Sequence, residues 1–151
     1  MNSLQNLLFQ LENHIPNLEK TNSRVSNSTI GWQIDHCLLV INGVIGQVEI
    51  SNPTEFKSKF NFNRLIVFTT GKIPRGKIRA PKMVTPISIA TAEELKSNIE
   101  IAKNKVSKLN NLPKNSFFKH PYFNDLNVKQ TEKFLAIHTK HHLKIIEDIL
   151  K

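Results

Sequence analysis

Between Asn127 and the end of the chain, one set of side chains recurs every three to four residues: Thr131, Leu135, His138, His142, Ile145, Ile146 and Ile149. On an α-helix all of them lie within about 60° of His142. A helix with such a stripe has to bury it against other elements, and burying it carries two histidines inward with the aliphatics. His138 and His142 fall one turn apart, about 40° from each other around the axis. At that spacing one helix can offer two imidazoles to a single metal ion. The spacing also fits a solvated basic face or two histidines at a core edge, and alone it favours that plainer reading. His141 lies about 100° away, at the border of the stripe.

The chain contains three further stripes of this kind. Leu4, Leu7, Leu8, Leu11 and Ile15 predict a first helix, with Ser3 as its N-cap and Pro16 ending it. The polar stretch Asn17 to Thr29 reads as a loop in which Asn27 or Ser28 caps the next helix. That second helix is expected from about Gly31 to Ile50. Trp32, Leu39, Val40, Gly43, Gln47 and Ile50 lie within about 60° of His36 on it, so His36 is expected in the middle of the buried stripe. A neutral imidazole there needs partners for its ring nitrogens, and either hydrogen bonds or a metal would serve. Gly43 on that face is expected to admit a close neighbour, and Cys37 reads as a small core residue. Thr91 and Glu94 form a capping box ahead of a third long helix whose stripe is Leu95, Ile99, Ala102, Val106 and Leu109. Asn127 and Gln130 repeat a variant of that box before the last helix.

The long connection between the second and third of these helices is less regular. Phe62, Leu65 and Ile66 would share one face of a short helix over 62–69, while Val67 and Phe68 fall off it, which leaves a short buried strand as the alternative. Lys72 to Pro86, with Pro74, Gly76, Pro81 and Pro86, reads as an extended strap around the helices. Asn110 to Asn127, containing His120, Pro121, Tyr122 and Phe123, reads as a loop. The expected fold is therefore all-α: a four-helix bundle over a single domain, 1–151, with a long irregular connection between helices 2 and 3. In such bundles metal sites are built from inward side chains of facing helices. His36, His138 and His142 would leave a divalent ion at least one open position.

Composition narrows the setting. A chain of 151 residues, 39% hydrophobic, can bury a real core. Its longest apolar runs are far short of a membrane span, and no secretory-signal order opens it. Lone Cys37 excludes an internal disulfide and fits a reducing compartment, so a cytoplasmic location is expected. The net charge of +9 invites a nucleic-acid role. Its densest run, Lys72, Arg75, Lys77, Arg79 and Lys82, lacks the aromatic spacing of an RNA-binding sheet and the pattern of a recognition helix. The expected partner is a small-molecule substrate, with a homodimer allowed and neither dedicated nucleic-acid binding nor a membrane partner. No Gly-rich phosphate loop, nucleophile elbow or CxxC motif is present.

The segments Gly31-Trp32-Gln33-Ile34-Asp35-His36 and His138-Thr139-Lys140-His141-His142 resemble the metal motifs of the DinB-like superfamily. Pro74-Arg75-Gly76, Ala80-Pro81-Lys82 and His120-Pro121-Tyr122-Phe123 resemble an uncharacterised, domain-of-unknown-function branch of it. The resemblance implies a four-helix bundle with His36, His138 and His142 as ligands to zinc or nickel. It also implies thiol-dependent S-transfer, with a low-molecular-weight thiol as cosubstrate. The insert between helices 2 and 3 departs from the compact thiol-transferase members. Asp35 and Glu132 are candidate general bases by sequence proximity, and His141 and His120 candidate neighbours of the site. Arg75 or Arg79 could meet a substrate carboxylate or phosphate. Each of these six has an ordinary surface or packing role as its alternative.

Overall fold

The computed structural model describes residues 3–151. Five α-helices and one small sheet make up the fold: α1 Leu4–Asn13, α2 Ile30–Ile50, α3 Phe62–Thr70, α4 Ala92–Leu109, β1 Phe117–His120, β2 Asn124–Asn127 and α5 Val128–Ile149. Helix α1 packs on α4 and α5, and α2 packs on α4 and α5, so these four close a ring around the core. The all-α expectation holds in its coarse form. One correction concerns the stretch read as a loop over Asn110 to Asn127. It contains an antiparallel hairpin, pairing Phe117 with Asn127 and His120 with Asn124. Strands of four residues are too short for alternation to stand out in a sequence.

The helix ends follow local chemistry. Ser3 caps α1 by accepting the Asn6 N–H, and Pro16 falls in a 3₁₀ turn over Ile15–Asn17 just past its end. Both boxes form in full: Thr91 with Glu94 opens α4, and Asn127 with Gln130 opens α5. For α2 the cap is Thr29, whose hydroxyl accepts the Trp32 N–H, rather than Asn27 or Ser28. Asn22 pairs with Ser26 in an isolated bridge ahead of that cap.

The core is legible in three of the four stripes. Leu4, Leu7, Leu8 and Leu11 of α1, and Leu95, Ile99, Ala102, Val106 and Leu109 of α4, are all buried. So are Thr131, Leu135, His142, Ile145, Ile146 and Ile149 of α5. Helix α2 departs from expectation. Its fully buried face carries Ile34, Cys37, Ile41, Ile45 and Val48, about 100° or more around from His36, while Gly43, Gln47 and Ile50 are exposed. Nothing lies within 4 Å of a Cβ built on Gly43. The glycine that permits a close approach is Gly31, where an added Cβ would meet the Leu18 carbonyl oxygen at 3.0 Å.

His36 is nevertheless buried, because another part of the chain covers its face. The insert runs over α2 and α5, and its 3₁₀ turn Lys82–Val84 packs on α2. Within the insert α3 forms as a helix, closed by Gly71 in the left-handed region at φ 64°. Its orientation is the reverse of what an apolar stripe suggests. Val67 and Phe68 pack toward the core, whereas Phe62, Leu65 and Ile66 face out. Among the described residues, no helix is long and apolar enough to cross a membrane.

Candidate metal centre

The α2–α5 contact brings His36, His138 and His142 together, with one nitrogen of each ring within 4.8 Å of the others. The rings form a propeller. Their centroids are 5.1 Å (His36 to His138), 4.7 Å (His36 to His142) and 4.6 Å (His138 to His142) apart, and each pair is tilted by 54° to 66°.

Two of the rings have fixed tautomers. His36 Nδ1 is 2.7 Å from the Val84 carbonyl oxygen. A carbonyl can only accept, so the proton is on Nδ1 and the Nε2 lone pair is free. His142 Nδ1 lies 2.6 Å from Gln33 Oε1. In this orientation of the amide, Gln33 Oε1 accepts from His142 Nδ1 and its Nε2 donates to Ser26 Oγ at 3.4 Å. His142 therefore also presents an unprotonated Nε2. Sequence reasoning assigned no role to Gln33, although it falls inside the motif, three residues before His36 and on a turn facing α5. Val84 contributes a main-chain atom, which no side-chain pattern could reveal.

His36 Nε2 and His138 Nε2 are 3.2 Å apart. Two nitrogens bound to one tetrahedral zinc at 2.0–2.1 Å are about 3.3 Å apart, so the spacing matches one edge of such a sphere. Without an ion, a single N–H···N bond can join those two atoms, which leaves His142 Nε2 with no protein partner. His138 Nδ1 is sealed from solvent and has no hydrogen-bond partner, although the residue as a whole is partly exposed. The donor set fits a divalent transition metal.

Burial decides the charge state. It holds His36 and His138 below the ordinary histidine range, the Val84 carbonyl opposing it at His36 and the neighbouring histidines adding to it at His138. Burial first, then His36 and His141, pushes His142 down to about 2. Three neutral imidazoles thus converge, the form that ligates metal. Aromatic rings wall them in: Trp32 stacks on His36 at 5.1 Å and 15°, and Phe134 lies 5.8 Å from His138. Each precedes its histidine by four residues, one helical turn.

The remaining candidates fall outside the triad. His141 touches it edge-on, 5.0 Å from His142, and is held low by burial and by Arg75. His120 stacks on Phe123 at 4.2 Å, and its Nδ1 accepts the N–H groups of Tyr122 and Phe123. That locks His120 into the hairpin turn. Arg75 is committed to Asp148 at 2.8 Å, and Arg79 is exposed. Asp35 is half-buried beside Glu94, and both desolvation and that neighbour raise its carboxyl above the usual range. Cys37 is fully buried, and burial pushes its thiol far up, as for an inert core residue. Compared with known proteins, the chain matches no family model, no curated protein and no solved structure.

Proposed function

We propose that the chain is a DinB-like four-helix bundle in which His36, His138 and His142 hold one divalent ion, zinc or nickel. We further propose that it is a metal-dependent enzyme acting on a small electrophile, by thiol S-transfer or hydrolysis. The observation that carries the site is the convergence of three neutral imidazoles, two with Nδ1–H already committed and Nε2 turned to the shared centre. Such an ion would lower the pKa of a bound water or thiol and polarise a carbonyl, and three uncharged ligands leave its charge available to an anion. The chain's own residues do the positioning. Val84 and Gln33 set the tautomers, and Trp32 and Phe134 keep water from the ligand flanks. No residue is assigned as catalytic base. His120 does not join the cluster, so it is not a fourth ligand.

A second reading, a non-catalytic binding bundle in which the metal is structural, is favoured by the depth of the triad. His36 is 3% exposed and roofed by Val84. Metal analysis of tag-free protein should give roughly one ion per chain, and His138→Ala should abolish it. Stoichiometric metal surviving in that variant would sink the site. A screen of low-molecular-weight thiols against electrophilic acceptors then separates the readings. Metal-dependent turnover supports the enzyme, and its absence in the loaded protein supports the structural ion.

A further inference from the structure

The positive charge of this chain is concentrated in one segment of the sequence. Between Thr54 and Ala90 there are eight Lys and Arg against one acid, Glu55, which gives that segment +7 of the chain's +9. The same segment contributes most of the large apolar side chains left in water. Ile87 is 98% exposed, Ile89 88%, Met83 82% and Phe60 77%, and α3 adds Phe62 and Leu65. Aliphatic tips this exposed do nothing for the core, and their number in one basic segment points to an interaction surface.

We propose that the insert docks on an anionic lipid surface, with Ile87, Ile89 and Met83 entering the headgroup boundary and Lys72, Lys77, Arg79 and Lys82 facing the lipid phosphates. Charge complementarity selects this occupant. A second copy of the chain, meeting face to face, would set Lys72, Lys77, Arg79 and Lys82 against the same four charges. A nucleic acid would engage the basic residues through its phosphates, and isoleucine and methionine tips would add to that only by wedging between bases. An anionic membrane uses both features, and stable attachment there needs two signals, a polybasic patch and an apolar insertion. The insert is free to serve because its anchors lie elsewhere. Arg75 holds Asp148, the Val84 carbonyl holds His36 and Arg64 holds the Phe123 carbonyl. The sequence reading expected no membrane partner. What alters it is the exposure of Met83, Ile87 and Ile89, side chains to which the sequence pattern gave no role. The proposal does not depend on the metal.

Full-length protein should be sedimented with vesicles of phosphatidylcholine alone and of phosphatidylcholine mixed with phosphatidylglycerol, at low and high salt. Partitioning is expected on the anionic vesicles only, weakened by salt. Lys77→Gln with Arg79→Gln should reduce it by roughly thirtyfold, about fivefold per basic residue. Ile87→Ser with Ile89→Ser should reduce it by about tenfold or more. All four positions are exposed, so circular dichroism should find the helices unchanged. Because Cys37 is buried, an environment-sensitive dye on Ile87→Cys labels one site, and its emission should shift blue on anionic vesicles. No partitioning at low salt would overturn the proposal. So would serine variants that bind like the parent, because the segment would then be a polyanion site for nucleic acid or acidic protein.

Discussion

Replacing Gln33 by Leu tests whether the triad is a prepared site or an accident of packing. Gln33 is 2% exposed and its Oε1 takes the His142 Nδ1–H at 2.6 Å. Leucine fills much of the same volume but offers no acceptor. The buried N–H then goes unpaired, at a cost of about 1–3 kcal/mol. For a domain of this size each kcal/mol moves the midpoint by about 2–4 °C, so the metal-free protein should melt roughly 4–8 °C lower if the cost is about 2 kcal/mol. The His142 ring also loses the restraint on its tautomer, and loss of such a partner weakens metal binding by about 10- to 100-fold. Competition against a chromophoric chelator measures the affinity, and calorimetry with and without metal measures stability. Gln33→Glu supplies the opposite sign. A carboxylate accepts the same N–H and makes the ligand more basic, so affinity should equal or exceed the parent's while the metal-free protein loses stability to a buried charge. A Gln33→Leu variant whose affinity stays within about twofold of the parent would refute the assignment of Gln33 to a ligand-orienting role.

Acid should destabilise the metal-free protein before the carboxylates titrate. His120 is lowered by burial to about 4 in the fold against 6.5 unfolded. The unfolded chain therefore takes the proton first as pH falls, and stability is lost between about pH 6.5 and 4. His120 alone accounts for about 2 kcal/mol by pH 5 and about 3 kcal/mol by pH 4. His36, His138 and His142 act in the same direction. Urea midpoints from pH 7 to 4 check this, and a flat profile would contradict it. Gly31→Ala should destabilise by about 1–3 kcal/mol, since its Cβ would press on the Leu18 backbone, and denaturant unfolding reads the loss directly.

The parts of this fold that were legible in the sequence are those governed by neighbours three or four residues away. The caps at Ser3, Thr91 and Asn127, and the stripes of α1, α4 and α5, depend on helical periodicity and local hydrogen bonding. The histidine triad was legible for the same reason, since His138 and His142 share a stripe and His36 lies on an apolar helix. The burial of His36 nevertheless has a source outside its own helix. Its face is not the main core face of α2, and it is buried because the Lys82–Val84 turn lies over it. That contact joins residues 48 positions apart, beyond any periodic signal. Helix α3 was misleading in orientation for a related reason. Phe68 meets Phe123 of the hairpin at 6.1 Å, and that aromatic contact turns Phe62 and Leu65 outward. The hairpin itself rests on register rather than composition.

The acceptor that orients His36 is the carbonyl of residue 84, which every amino acid carries. Valine there can be exchanged for many other residues without removing the oxygen, so the His36 ring is insulated from point substitution along the strap. A change of chain length is a different matter. Deleting or inserting one residue between the Arg75–Asp148 anchor and Val84 would move the carbonyl by about 3.3–3.8 Å, a full residue step. The ring would then be left to find another partner. The strap is therefore tolerant in spelling and strict in length, and loss of metal on a single deletion there, with metal retained in Val84→Ala, would be its signature.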